Sequence, residues 1–407
     1  MAAKPTSIRI RMYNVGFGDC FLLTFHYPHG IDRHMLVDYG TNAAGVGGLP
    51  LDELGDKIAA DCDGKLAAVV LSHRHRDHIR GFDPDVGGKT IKGLAPDVVL
   101  RPWTEEPGVE DNANPAFAMR RDLARSLTIA EDLAGDLSHA VNSTDRRTLR
   151  GQIGSFAARE LKNKDAVHLL DELSQGGRGR YLSAGEDPQT DDALPGVKIS
   201  VLGPPLPDVW PAVRRQRSDD PEYWFRLRDS LPSALTLADD EAPSDVPLGP
   251  EAWLVDRLRS EGLHSTLRIV QTLDSALNNT SLILLIEAAG KRLLFPGDAQ
   301  IENWSYSLSG PGASKELRAK LAALDFYKVG HHGSRNATPK LGLLPLWLVP
   351  GAAPVPVAFM STLEGPYDEA YPVPSQPLVD QLMKAPLRLE RSDQLEVGNQ
   401  IFKDQNL

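Results

Sequence analysis

The stretch LSHRHRDHIRG (71–81) puts three histidines and an aspartate into six positions, directly after the apolar run LAAVVLS (66–72). A continuous apolar run of this kind reads as a strand buried on both faces. Polar side chains at its exit are costly to bury unless something satisfies them. The spacing is His73-x-His75-x-Asp77-His78. In an extended segment alternate side chains share a face, so His73 and His75 point toward one ion. The chain turning beyond them brings Asp77 and His78 round to a second. Imidazole nitrogen mixed with carboxylate oxygen is a donor set for Zn, Mn or Fe.

Four ligands in one loop cannot encircle two ions, so more must come from distant sequence. Asp298 ends an apolar hairpin in LLFPGDA (293–299), and His331 and His332 lie in KVGHHGS (328–334). Taken alone, an acidic residue at a strand end is a turn former or helix cap. Beside the histidine cluster it becomes a bridging carboxylate.

Around these motifs the first hundred residues read as a meander: IRIRMYNV (8–15), CFLLTFHY (20–27) and HMLVDYG (34–40), each bounded by Gly, Pro or Asp. A helix is expected over 51–61. From 104 to 193 the chain turns charged and helix-forming, with no strand-like stretch, and reads as a helical insertion. VKISVLGPP (197–205) restores a strand signal, and a second irregular region fills 206–265. The hairpin SLILLIEAAGKRLLFPGD (281–298), strands in LDFYKVGHHGS (324–334) and VPVAFMST (355–362), and a helix in PSQPLVDQLMKA (374–385) complete the pattern. The expected organisation is 1–103 and 266–407 as two halves of one α/β layered unit, 194–205 as a core strand, and 104–193 and 206–265 as insertions.

Composition bounds the partners. The 407 residues carry a formal net charge of −11 and 41% are apolar, enough for a packed core. Such a surface has no general field for nucleic acid or anionic lipid. Cys20 and Cys62 are the only cysteines, which excludes a thiolate metal cluster and a disulfide framework. The opening MAAKPTSIRIRMYN lacks a hydrophobic leader, and no run approaches the roughly 20 apolar residues of a membrane helix. A cytoplasmic protein with no membrane contact is expected.

HRHRDH resembles the HxHxDH signature of the metallo-β-lactamase-fold hydrolases. The segments NVGFGDCFLL (14–23), MLVDYG (35–40), VVLSHRHRDHIRGF (69–82), NNTSLILLIEAAGKRLLFPGDA (278–299), KVGHHGS (328–334), YPVPSQPLVDQL (371–382) and RSDQLEV (391–397) resemble, in this order, the competence-protein (ComEC/Rec2) branch of that superfamily. The resemblance implies an αβ/βα sandwich with a largely helical insertion. It further implies two ions, Zn with Mn as the alternative: His73 and His75 on one, Asp77 and His78 on the other, Asp298 bridging. His331 matches the last motif histidine best, with His332 able to exchange roles. Asp38 and Asp19 match positions that orient a ligand imidazole. Many superfamily members place a further histidine where this chain has Asn278 and Asn279, which become candidate metal or substrate contacts or a simple turn.

Two ions about 3.5 to 4 Å apart can activate a water and hold a leaving oxygen. The competence-type resemblance points this chemistry at phosphodiesters, with Asp77, His332 and Lys328 in catalytic roles and Ser334 and the HHGS amides contacting phosphate. The acidic surface favours a nucleotide or short nucleic acid over long DNA. Arginines in 119–125, 145–150, 178–181 and 214–217 could form a basic rim, and 104–193 could instead dock a protein partner. The alternatives are an acyl ester, thioester or amide hydrolase, and a non-catalytic metal-binding regulatory module.

Overall fold

The computed structural model describes residues 3–42, 49–111, 118–122, 124–125, 163–214, 221–223, 276–347, 357–364, 373–385, 387–395 and 402–407. Most of the second insertion, 206–265, and the arginines at 145–150 and 215–217 lie outside the described residues.

In chain order the strands are β1 (Ser7–Tyr13), β2 (Cys20–His26), β3 (Asp32–Tyr39), β4 (Ala68–Val70), β5 (Val98–Pro102), β6 (Gly179–Leu182), β7 (Lys198–Gly203), β8 (Ile283–Ala288), β9 (Lys291–Phe295), β10 (Phe326–Lys328), β11 (Val357–Met360), β12 (Arg388–Arg391) and β13 (Phe402–Asn406). They form two mixed sheets, a seven-stranded one in the order β13-β1-β2-β3-β4-β5-β6 and a six-stranded one in the order β12-β11-β10-β9-β8-β7. Within the first, β3 to β6 run parallel, and within the second, β9 to β12 do.

The continuous apolar runs are explained by burial on both faces of each sheet. Ile8, Ile10, Met12, Phe21, Leu23 and Phe25 alternate toward the second sheet, where they meet Leu282, Leu284, Ile286, Leu293 and Phe295. Phe21 and Phe295 touch edge to face across this layer, with centroids 5.7 Å apart. The intervening residues face outward. Leu22, Leu36 and Val69 pack under helices α1 (Leu51–Asp61), α3 (Lys89–Gly93) and α4 (Lys164–Ser174), α2 being the short turn Arg76–Ile79. Ile283, Leu285, Leu294 and Tyr327 do the same under α5 (Ile301–Leu308), α6 (Lys315–Leu321) and α7 (Gln376–Lys384). Each fully buried side chain of this size contributes about 1.5–3 kcal/mol. The architecture is therefore a four-layered α/β molecule, helices outside and two sheets inside. Among the described residues no helix is long and apolar enough to cross a membrane.

The expectation of a strandless insertion over 104–193 needs correction. Gly179–Leu182 forms β6, the edge of the first sheet, paired with β5, and α4 packs on the same face as α1. Three of the four β6 residues are only half-buried, so the segment has no apolar alternation to reveal it.

Candidate metal centre

The C-terminal ends of the parallel strands β3, β4, β9, β10 and β11 point to one edge of the two sheets, the usual place for function in such sheets. Asp38 lies near the end of β3, His73 to His78 follow β4, Asp298 follows β9, and His331 and His332 follow β10. The turns must approach closely. A Cβ on Gly40 would stand 2.5 Å from the backbone of Asp77 and His78, and one on Gly18 would stand 2.7 Å from the Asp77 carbonyl oxygen. Glycine at both positions lets the HRHRDH backbone settle against the β1–β2 turn and the end of β3. The Asp19 amide donates to the Asp77 carbonyl at 2.9 Å, and Leu282 donates to the Ser72 carbonyl at 2.9 Å, which ties the two sheets together at this edge.

One group consists of Asp77, His78, Asp298 and His332, all buried, each offering a donor atom within 4.8 Å of the others. His332 Nδ1 lies 2.9 Å from the Ser361 carbonyl, which can only accept, so this nitrogen carries the proton and Nε2 is presented to Asp77 Oδ2 at 3.0 Å. His78 is held in the same way. Its Nδ1 bonds Asp38 Oδ2 at 2.8 Å, and its Nε2 faces Asp298 Oδ2 at 3.0 Å. A carboxylate or carbonyl fixing the far nitrogen is how metal-binding imidazoles are oriented. Asp77 Oδ1 and Asp298 Oδ1 are buried without a hydrogen-bond partner.

Electrostatics point the same way. Burial opposes charge on His78, yet Asp298, Asp38 and Asp77 pull its pKa well above the usual value. Burial likewise opposes charge on His332, and Asp298 and Asp77 raise it. Burial pushes the Asp77 carboxyl up, but His78 and His332 outweigh it and hold it at about 2. Asp298 is held well below the carboxylate range by His78 and His332 in spite of its burial. These carboxylates draw positive charge into a dry site, and a divalent ion supplies it while leaving the imidazoles neutral as ligands. Donor types, burial and carboxylate oxygens that accept no hydrogen bond all fit such an ion.

A second group, Asp19, Asp38 and His78, has similar composition. Its positive charge is already present. Lys328 is buried, its ammonium in contact with Asp19 Oδ2, 3.5 Å from Asp298 Oδ1, and bonded to the Gly297 carbonyl at 3.2 Å. Burial would lower the Lys328 pKa, and Asp19 and Asp298 raise it instead. Lys328, expected to add charge if its side chain faces the site, lies among the carboxylates and is 2% exposed. Asp38 accepts from the Ser72 amide and hydroxyl at 2.7 Å each as well as from His78, in the orienting place expected of it.

His73 and His75 are brought together, His73 Nε2 lying 2.9 Å from His75 Nδ1. Burial lowers the pKa of both, that of His75 to about 4, which keeps the rings neutral and able to ligate. They sit beside the four-residue group, the His73 ring centroid 4.3 Å from that of His78. The preference for His331 over His332 is reversed: His332 converges with the ligands, whereas His331 Nε2 is 3.9 Å from Asp298 and its side chain is 22% exposed. Asp38, His331 and His332 have φ of 55, 43 and 52°, in the left-handed region that side chains rarely adopt.

Asn279 lies in a turn and bonds to α5, donating to Glu302 at 3.3 Å and accepting from the Asn303 amide at 3.3 Å. Asn278 is buried with neither side-chain polar atom bonded. The HHGS amides are also largely occupied: His331 bonds the Gly297 carbonyl, Gly333 that of Gly330 and Ser334 that of His331. That removes three of the expected phosphate contacts. Ser334 itself is 8% exposed. Of the rim arginines, Arg120 pairs with Asp208 through two bonds of 2.8 Å, and Arg178 and Arg180 donate to nearby backbone carbonyls.

Sequence reasoning missed Ser72, Ser361 and Glu105. Ser72 stood inside the quoted motif, but neither Ser361 nor Glu105 carries a local signal. No protein-family model and no curated protein matches the chain.

Proposed function

We propose that the chain is a metal-dependent hydrolase of the metallo-β-lactamase type, closest in motif order to the competence-protein branch, acting on a phosphodiester. The observation that carries this is the convergence of Asp77, His78, Asp298 and His332 into one buried group in which a carboxylate oxygen of each aspartate accepts no hydrogen bond. The four-layered α/β architecture with the group at one sheet edge supports the fold reading.

Asp77, His78, His332 and Asp298 would hold one ion, and His73 and His75 the other, with Zn the first candidate and Mn the second. Two such ions supply Lewis acidity toward an ester oxygen and lower the pKa of bound water. The chain's own residues do the rest. Asp38 and the Ser361 carbonyl fix the proton on Nδ1 of His78 and His332, which leaves each Nε2 turned into the centre. Lys328 lies against Asp19 behind the ligands and offsets part of the cost of burying that carboxylate. His331, reached by solvent, would meet an entering substrate. The net charge of −11 favours a nucleotide or short oligonucleotide over long duplex.

The test is hydrolysis of bis(p-nitrophenyl) phosphate with Zn, Mn or chelator, comparing the natural protein with His75→Ala and Asp298→Ala. Metal-dependent turnover lost in both variants is expected. Turnover of an acyl ester alone would overturn the phosphodiester assignment.

A further inference from the structure

The alternation that turns His73 and His75 to one side sends Arg74 to the other. There its Nε donates to Glu105 Oε1 at 2.6 Å and its guanidinium reaches the Thr104 carbonyl at 3.5 Å. Glu105 is buried at 1% side-chain exposure and accepts a second guanidinium, that of Arg101, at 3.2 Å. Arg101, equally buried, donates in turn to Asp171 of α4 at 2.5 Å. The Arg74 carbonyl accepts from Asn163, just before α4, at 3.1 Å.

The histidine loop needs such anchoring. Past β4 the Leu71 amide bonds the Leu100 carbonyl and Ser72 is held by Asp38 and Leu282, but residues 71–75 belong to no helix or strand. An ion pair at the open surface fixes little, because water screens it and both side chains must be ordered. Charged hydrogen bonds to a buried carboxylate are short, directional and costly to break.

We propose that Arg74 is a positioning residue: with Glu105 it clamps the loop so that His73 and His75 present their rings to one ion. This rests on the metal reading above. It predicts a selective effect, because His78 and His332 have their own anchors in Asp38 and Ser361.

The experiment is a Co(II) titration, followed by absorption and by bound stoichiometry, on the full chain and on Arg74→Met and Arg74→Lys. Methionine keeps an unbranched stem and leaves Glu105 paired with Arg101, while lysine retains a charge directed at Glu105. We expect one of two ions to bind about tenfold more weakly in Arg74→Met, the other to be unchanged, and Arg74→Lys to recover most of the loss. Unchanged affinity for both ions in Arg74→Met, or an equal loss at both, overturns the assignment and leaves the metal reading standing. A natural protein that takes up no Co(II) overturns the metal reading, and the clamp with it.

Discussion

Two buried acid–histidine groups meet at His78 and differ in what balances them. In the inner group the Lys328 ammonium lies against Asp19, and Ser72 and His78 occupy Asp38. In the outer group Asp77 and Asp298 face imidazole nitrogens, Asp77 Oδ1 accepts no hydrogen bond, and Asp298 Oδ1 lies 3.5 Å from the same lysine. The same residue types therefore do different jobs. The lysine is in contact with Asp19 and only at the far range of an ion pair with Asp298, so it balances the inner carboxylates more closely and leaves the outer four a donor set suited to a divalent ion.

Substitutions that cross this boundary should separate the groups. The largest effect is expected in the outer one: Asp298→Ala should lower metal-dependent phosphodiester turnover by about 10³-fold or more, read from initial rates at saturating metal. Lys328→Met leaves Asp19 buried without its counter-ion and should cost about 3–5 kcal/mol in urea unfolding of the metal-free protein. A loss below about 1 kcal/mol would show that the inner network is not closed in the way described. Asp38→Asn keeps a hydrogen-bonding side chain but weakens the acceptor for His78, so metal affinity should fall about 10- to 100-fold in a competition titration while the fold survives.

The smallest effect is in the pH dependence of the metal-free protein. Burial holds His73 and His75 below the ordinary histidine pKa of 6.5, and neighbouring carboxylates hold His78 and His332 above it. A lowered pKa costs stability as pH falls below 6.5, because the unfolded chain takes up those protons first. A raised one contributes fully below 6.5 and is lost as pH climbs toward the folded value. With chelator present, Tm should peak near pH 6.5 and decline on either side. Saturating metal should remove the alkaline decline, since binding releases protons and tightens as pH rises. A metal-free Tm that climbs steadily from about pH 6 to about pH 9 contradicts the protonation states assigned to the outer group.

Much of this was legible in the chain because the informative segments are extreme. β2 and β8 announce themselves through apolar runs buried on both faces, β1 through its alternation, and HRHRDH through its density of ligands. β12 (RLER) and β13 (FKDQN) do not, since edge strands of half-exposed charged residues take their place from ladder partners, Asp404 of β13 being held by Arg11 of β1 at 2.6–2.7 Å. The choice between His331 and His332 depends on a turn in which both residues have positive φ, a conformation that no residue pattern encodes. Lys328 shows the same limit. In FYKVG nothing tells which face the lysine takes, and its partners, Asp19 and Asp298, are 309 and 30 positions away in sequence.

The most direct test is anomalous diffraction at the Zn edge from crystals of the natural protein grown with Zn. The account predicts a peak bounded by Asp77, His78, Asp298 and His332, with Lys328 still against Asp19. A peak between Asp19 and Asp38 with the lysine displaced, or full Zn occupancy elsewhere and none among the outer four, would contradict it.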